Sequence, residues 1–348
     1  MRRLSLFALP ALGLALLLTS ARADLVWAPG TGWHIEGGAI AAVSGPEGRT
    51  ALDLMNKARQ EEEAHHWHAA LKNYKRVAIR YGTSVYAAEA LFRVGLIYQQ
   101  KKEYFAAFDT YQALLGSYPS SQKFTQVVAE QYRIASQLLD GARPRIWGWI
   151  PGFRNRERAV EYFERIIANA PYSDYAPMSL MNVAKGQRII GGTEEAIDAL
   201  DRMINTYSRS VLTPDAYLKL ADAYASLVAG PNYDQESTRL AVTYYEDYLI
   251  LFPGDTGAAE AERGLAKMKN TLAQSKMILA DYYFKYRKNY KAARVFYNEA
   301  ITVYPDSDVA AKAKVKLAKV DAILNNTPPP ADTTPAAPKK KKKWLGLF

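Results

Sequence analysis

The sequence predicts an all-α protein, a right-handed solenoid of about six helix–turn–helix units. Three observations carry this. A frame of alanine, a large apolar residue four positions on, and a third apolar residue seven after that occurs six times. A breaker or turn former follows every copy. A second helical stretch with small residues of its own precedes the frames.

The six copies are Ala70/Tyr74/Tyr81, Ala107/Tyr111/Tyr118, Ala159/Phe163/Ala170, Ala196/Leu200/Tyr207, Ala241/Tyr245/Phe252 and Ala293/Tyr297/Tyr304. The residues that close them are Gly82, Pro119, Pro171, Ser208, Pro253 and Pro305. Alanine lets two helices approach closely. The residue four positions on lies on the same helix face and fills the space beside it. Proline or glycine then ends the helix. Small residues at Ala58, Gly95 and Ala184 each stand twelve positions before a frame alanine, as a facing helix requires. This is the tetratricopeptide repeat (TPR) pattern, a helix–turn–helix of about 34 residues.

In chain order, residues 1–23 read as a cleaved export signal. Arg2 and Arg3 precede an apolar run from Leu4 to Leu18, and Ala21-Arg22-Ala23 is a small-x-small cleavage site. Residues 24–49 alternate short apolar runs with Gly and Pro, an extended or hairpin lead-in. There Trp27, Trp33 and Ile35 are expected to cover the open face of the first unit, since a terminal repeat needs a cap. The TPR units are expected at about 50–82, 86–120, 122–173, 175–209, 212–254 and 258–307, with a final helix to 325. Thr256 to Tyr286 reads as one extended helical stretch. Residues 326–338, NTPPPADTTPAAP, form a Pro/Thr-rich linker. Residues 339–348, KKKKKWLGLF, form a basic-aromatic tail.

Composition narrows the function classes. The chain has no cysteine, which excludes disulfides, thiol catalysis and cysteine-type zinc clusters. The net charge of +10 falls to +2 once the three arginines of residues 1–23 and the five lysines of the tail are set aside. So nearly balanced a body is not a nucleic-acid surface, and no nucleic-acid partner is expected. No G-x-S-x-G, phosphate-cradling glycine loop or H-E-x-x-H occurs, and no catalytic residue, cofactor or enzymatic activity is expected. Three of the four histidines, His65, His66 and His68, sit in one inter-helix turn. His65 and His68 are spaced to share a metal only if His34 folds back as a third ligand. A polar turn is the expectation, and no metal site.

Three stretches are candidates for binding. The insertion Arg143 to Glu157 sets Trp147, Trp149 and Phe153 among arginines, a mixture typical of interface anchors. The end of the extended helical stretch presents Tyr282, Tyr283, Tyr286 and Arg287. In the tail, Lys339, Lys340, Lys341, Lys342 and Lys343 followed by Trp344 and Phe348 suit either anionic lipid heads or a partner groove.

The segment Arg239 to Asp308 resembles the BamD family, the TPR component of the bacterial outer-membrane-protein assembly machine. The matching features are a helix ending Phe252-Pro253, a long helix with Leu265, Lys269 and Leu272, and then Ala280, Tyr282, Tyr283, Tyr290, Ala293 and Tyr304-Pro305-Asp306-Ser307. The resemblance implies a non-enzymatic periplasmic scaffold, peripheral to the outer membrane. It implies binding to the periplasmic domains of the outer-membrane β-barrel insertase and to unfolded outer-membrane proteins. The chain departs from the family in having no cysteine to carry a lipid and about six units where the family has five. The tail would then offer a peripheral membrane contact. The alternative is a cell-envelope coordinator resembling the periplasmic Tol–Pal partner, which shares the Tyr-Pro repeat style.

Overall fold

A computed structural model describes residues 24–36 and 46–328. The signal-like segment, most of the linker and the whole tail lie outside these residues. The chain divides into two compact units, one ending at Asn155 and the other beginning at Arg156. The boundary falls within the stretch 122–173.

The first unit opens with an antiparallel hairpin, β1 (Asp24–Ala28) and β2 (Gly32–Glu36), in which Trp27 pairs with Trp33. Five helices follow: α1 (Pro46–Glu63), α2 (Trp67–Arg80), α3 (Ala87–Gln100), α4 (Tyr104–Ser117) and α5 (Phe124–Leu139). A two-residue-stranded hairpin, β3 (Arg145–Ile146) and β4 (Ile150–Pro151), closes the unit. The second unit holds α6 (Arg156–Asn169), α7 (Tyr175–Ile190), α8 (Thr193–Thr206), α9 (Thr213–Ser226), α10 (Glu236–Leu251), α11 (Ala258–Lys285), α12 (Tyr290–Val303) and α13 (Asp308–Leu324). The fold is an all-α TPR array. No helix among the described residues is long and apolar enough to cross a membrane.

The repeated frame is the buried seam of every helix pair. Ala70, Ala107, Ala159, Ala196, Ala241 and Ala293 are all fully buried, and so are Tyr74, Tyr111, Phe163, Leu200 and Tyr297. A buried tyrosine hydroxyl needs an acceptor, and here a polar side chain on a neighbouring helix supplies it. Tyr74 donates to Glu62 Oε2 at 2.7 Å and Tyr111 to Gln99 Oε1 at 3.1 Å. Tyr245 donates to Asp222 Oδ1 at 2.5 Å and Tyr297 to Asp281 Oδ1 at 2.6 Å. Burial, then the adjoining carboxylates, pushes the Tyr74, Tyr245 and Tyr297 hydroxyls well above the ordinary phenol range. They stay neutral donors.

The small residue facing each ring is a steric requirement. A Cβ added at Gly95 of α3 would lie 2.2 Å from Tyr111 Cε1. One at Gly264 of α11 would lie 2.4 Å from Tyr245 Cζ. The end of the frame links successive repeats. The Tyr118 hydroxyl reaches the Gly82 carbonyl at 2.6 Å, and the Tyr207 hydroxyl reaches the Pro171 carbonyl at 2.7 Å.

The first hairpin caps the first TPR pair. Trp33 is buried with Ala51, Met55 and Ala58 of α1, and its backbone N–H donates to Asn56 Oδ1 at 2.8 Å. The Arg59 guanidinium lies 4.4 Å from the centre of the Trp27 ring. The expected long helix is the 28-residue α11. Its first half packs on α10 through Ala261 and Met268, and its second half on α12 through Ala280.

Candidate functional site

In the histidine-rich turn, the chain turns sharply at His65, which adopts a positive φ of 59°. The His65 ring tilts against Trp67 at 5.1 Å, and His66 Nδ1 pairs with Glu61 Oε2 at 2.8 Å. No group of three or more potential metal ligands occurs among the described residues.

The insertion between α5 and α6 is seated on its own unit through its backbone, and its large side chains face outward. The Arg145 backbone N–H donates to the Lys102 carbonyl in the α3–α4 turn at 2.7 Å, and Gly152 N–H donates to the Pro144 carbonyl at 2.7 Å. Gly148 lies so close to the turn that a Cβ there would come within 2.6 Å of Lys101 Cε. Beyond this base the large side chains stand in solvent. Trp147 is 74% exposed, Trp149 70% and Phe153 90%.

The tyrosines at the end of α11 separate into two roles. Tyr283 stacks on Phe296 of α12, ring centres 5.4 Å apart and planes 10° from parallel, and packs against the α11–α12–α13 core. Tyr282 and Tyr286 are 46% and 77% exposed with their rings 5.9 Å apart, and Arg287 is exposed beside them. The exposed patch is therefore Tyr282, Tyr286 and Arg287, with Tyr283 as the support beneath. The tail residues Lys339–Lys343, Trp344 and Phe348 lie outside the described residues.

A further aromatic face on α9 and α10 joins the frame residue Phe252 to three tyrosines that the repeat frame does not mark. Tyr224 and Tyr244 stack at 5.5 Å, Tyr217 lies 6.4 Å from Tyr244, and Phe252 sits edge-on to Tyr217 at 5.6 Å. Burial raises all three hydroxyl pKa values, and nearby carboxylates raise them further: Asp247 and Asp201 act on Tyr217 and on Tyr244, and Asp201 on Tyr224. The signal for this face is the spacing of Tyr217 and Tyr224, seven apart on one helix side. In the same unit an apolar cleft of about 930 Å³ lies between the α6–α7 and α8–α9 turns, bordered by Tyr172, Met178 and Val211.

Comparison with known proteins supplies the context. A family model described as an outer membrane lipoprotein, YfiO, matches residues 154–320, and a tetratricopeptide repeat model matches residues 89–121. The outer membrane protein assembly factor BamD of Caulobacter vibrioides is 25% identical over 131 residues. The BamD of Xylella fastidiosa is 24% identical over 180 residues. The second half of the chain is BamD-like. The matches cover 38% and 47% of this chain, and 43% and 59% of the Caulobacter and Xylella proteins. Among solved structures, the C-terminal part of a TPR protein from Cytophaga hutchinsonii is 18% identical, with 74% of this chain and 85% of that chain covered, at a TM-score of 0.31. A TPR protein from Parabacteroides merdae is 11% identical, with 76% and 98% covered, at a TM-score of 0.32. The BamD-like match begins two residues before α6 and runs into α13. It thus coincides with the second compact unit and contains Tyr282, Tyr286 and Arg287. The β3–β4 hairpin precedes it.

Proposed function

We propose that this chain is a non-enzymatic periplasmic scaffold in outer-membrane β-barrel assembly. In this reading it binds the periplasmic domains of the barrel insertase and receives unfolded barrel precursors. It is exported by a cleaved signal peptide and held peripherally at the outer membrane without a lipid anchor, the Lys339–Phe348 tail adding a membrane contact. The observation that carries the reading is the coincidence of the BamD-like match with one compact helical unit. A TPR array offers a groove and an opposite face to different partners. Tyr282, Tyr286 and Arg287 are assigned to insertase contact, because exposed tyrosine and arginine at the C-terminal end of a helix are suited to anchor an interface. The Tol–Pal-like coordinator is not favoured by these matches.

The test is binding of the mature chain, Asp24 to Phe348, to the periplasmic domains of the same organism's insertase, beside a triple variant, Tyr282→Ala, Tyr286→Ala and Arg287→Ala. Saturable binding by the wild type and a loss of tenfold or more in the variant, about 1.4 kcal/mol or more, are expected. A folded wild-type chain that does not bind would sink the assembly reading. Unchanged binding by the variant would move the contact elsewhere on the array.

A further inference from the structure

We propose that the β3–β4 hairpin is a membrane-docking element that inserts its aromatic tip into the headgroup region of an anionic phospholipid bilayer. The inference stands apart from the insertase reading, since the paired strands β3 and β4 precede residues 154–320, which the outer membrane lipoprotein model matches, and lie in the other unit.

Three observations converge on it. First, the hairpin and the residues just after it present open apolar side chains. Ile146, Trp147, Trp149 and Phe153 are all at least half exposed within eight residues. Tryptophan concentrates at the membrane–water boundary, where its ring enters the acyl margin while the indole N–H stays among polar heads.

Second, the base carries a cluster of positive charge in sequence. Arg143, Arg145 and Arg154 are exposed, and no acidic residue occurs between Asp140 and Glu157. A guanidinium is the side chain best shaped for phosphate, and each one near an anionic surface adds to binding.

Third, the tip is held in shape. Trp147 and Gly148 both take positive φ, 53° and 78°, and Trp149 N–H faces the Ile146 carbonyl at 3.4 Å. This is the tight turn that reverses a hairpin. A bulky side chain in the left-handed region is uncommon. Here the conformation is over-determined by the Arg145–Lys102 backbone bond and by Gly148 lodged against Lys101 and Glu103. The result is that both indoles are pushed away from the helices. A tip this small buries too little surface for a stable protein–protein interface by itself, which needs roughly 1,000 Å². Insertion into lipid does not require a matching protein surface.

The experiment uses the full mature chain with vesicles of phosphatidylcholine, alone or mixed with phosphatidylglycerol. The wild type should co-sediment with the anionic vesicles. A tip variant, Trp147→Ser, Trp149→Ser and Phe153→Ser, should lose at least tenfold in vesicle affinity with unchanged helical circular dichroism. A base variant, Arg143→Gln, Arg145→Gln and Arg154→Gln, should lose about a hundredfold on anionic vesicles at low salt. Brominated phospholipid reads insertion directly. In a Trp344→Phe background, which removes the tail indole, emission should be quenched, and adding Trp147→Phe and Trp149→Phe should abolish that quenching. Wild-type vesicle binding by the tip variant, or binding that follows only the tail lysines, would overturn the proposal. So would quenching that does not depend on Trp147 and Trp149. Loss of insertase-domain binding without loss of vesicle binding in the tip variant would assign the hairpin to a protein partner instead.

Discussion

The Tyr118 hydroxyl donates to the Gly82 carbonyl at 2.6 Å, and the two residues are 36 positions apart. Gly82 follows the last residue of one repeat frame, and Tyr118 is the last residue of the next. The same relation joins Tyr207 to Pro171, again 36 apart, at 2.7 Å in the other unit. The bond joins the last residue of one frame to the residue that closes the frame before it, and so ties one helix pair to the next. Tyr118→Phe keeps the ring and removes only the donor. It should destabilise the first unit by about 1 kcal/mol, read as a lower urea midpoint with unchanged slope. Tyr207→Phe should do the same to the second unit alone.

Gly95 faces the Tyr111 ring, where an added methyl would lie 2.2 Å from Cε1. The ring cannot retreat, because it is fully buried and its hydroxyl is bonded to Gln99. Gly95→Ala should therefore destabilise by roughly 1–3 kcal/mol as overpacking, despite alanine's better helix propensity. Gly116 is the control. It lies in α4, and a methyl added there would meet no atom within 4 Å, so Gly116→Ala should be neutral or stabilising by about 0.5–1 kcal/mol. Thermal unfolding of both variants decides between the two effects.

Much of this was legible in the sequence because TPR geometry forces small and large residues into fixed register. The alanine and the residue four on are buried in every copy, and the facing Gly95 was visible twelve positions upstream of Ala107. What stayed hidden depends on variable connections. The hydroxyl acceptors lie 12 residues from Tyr74 and Tyr111, but 16 from Tyr297 and 23 from Tyr245, so no single spacing reveals them. Gly264 receives the Tyr245 ring from downstream, because the long α11 supplies the neighbouring surface. The four residues Tyr282, Tyr283, Tyr286 and Arg287 read alike as a contact surface. Only the Phe296 ring, brought in by α12, takes Tyr283 out of it.

Trp33 binds the N-terminal hairpin to the first repeat. It is buried among Ala51, Met55 and Ala58, with the Arg93 guanidinium 5.3 Å from its ring centre. Trp33→Ala should cost about 3–5 kcal/mol and expose the outer face of α1. Calorimetry should show an earlier transition for the first unit and an unmoved one for the second. A uniform shift of both transitions would contradict the capping role.

Asp281 predicts how acid acts on the C-terminal helices. Its carboxylate accepts from the Tyr297 hydroxyl at 2.6 Å and from Lys316 Nζ at 2.7 Å, joining α11, α12 and α13. Partial burial pulls its pKa upward, but the hydrogen bonds from Lys316 and Tyr297 and the lysine charge outweigh this and hold it below the ordinary aspartate value. A depressed folded-state pKa means that the unfolded chain binds the proton first. The stabilisation is therefore complete above the unfolded value of about 3.9 and is lost as pH falls through the lower folded value. Asp281→Asn keeps an acceptor for Tyr297 but removes the charge that pairs with Lys316. The variant should be less stable than wild type at neutral pH. The difference should shrink as pH drops below about 4. Because Asp281 is only partly buried, solvent screening keeps its effect modest. Urea unfolding at a series of pH values checks this. A gap between variant and wild type that stays constant down to the acid limit would show that the carboxylate does not gain its stability from Lys316 and Tyr297.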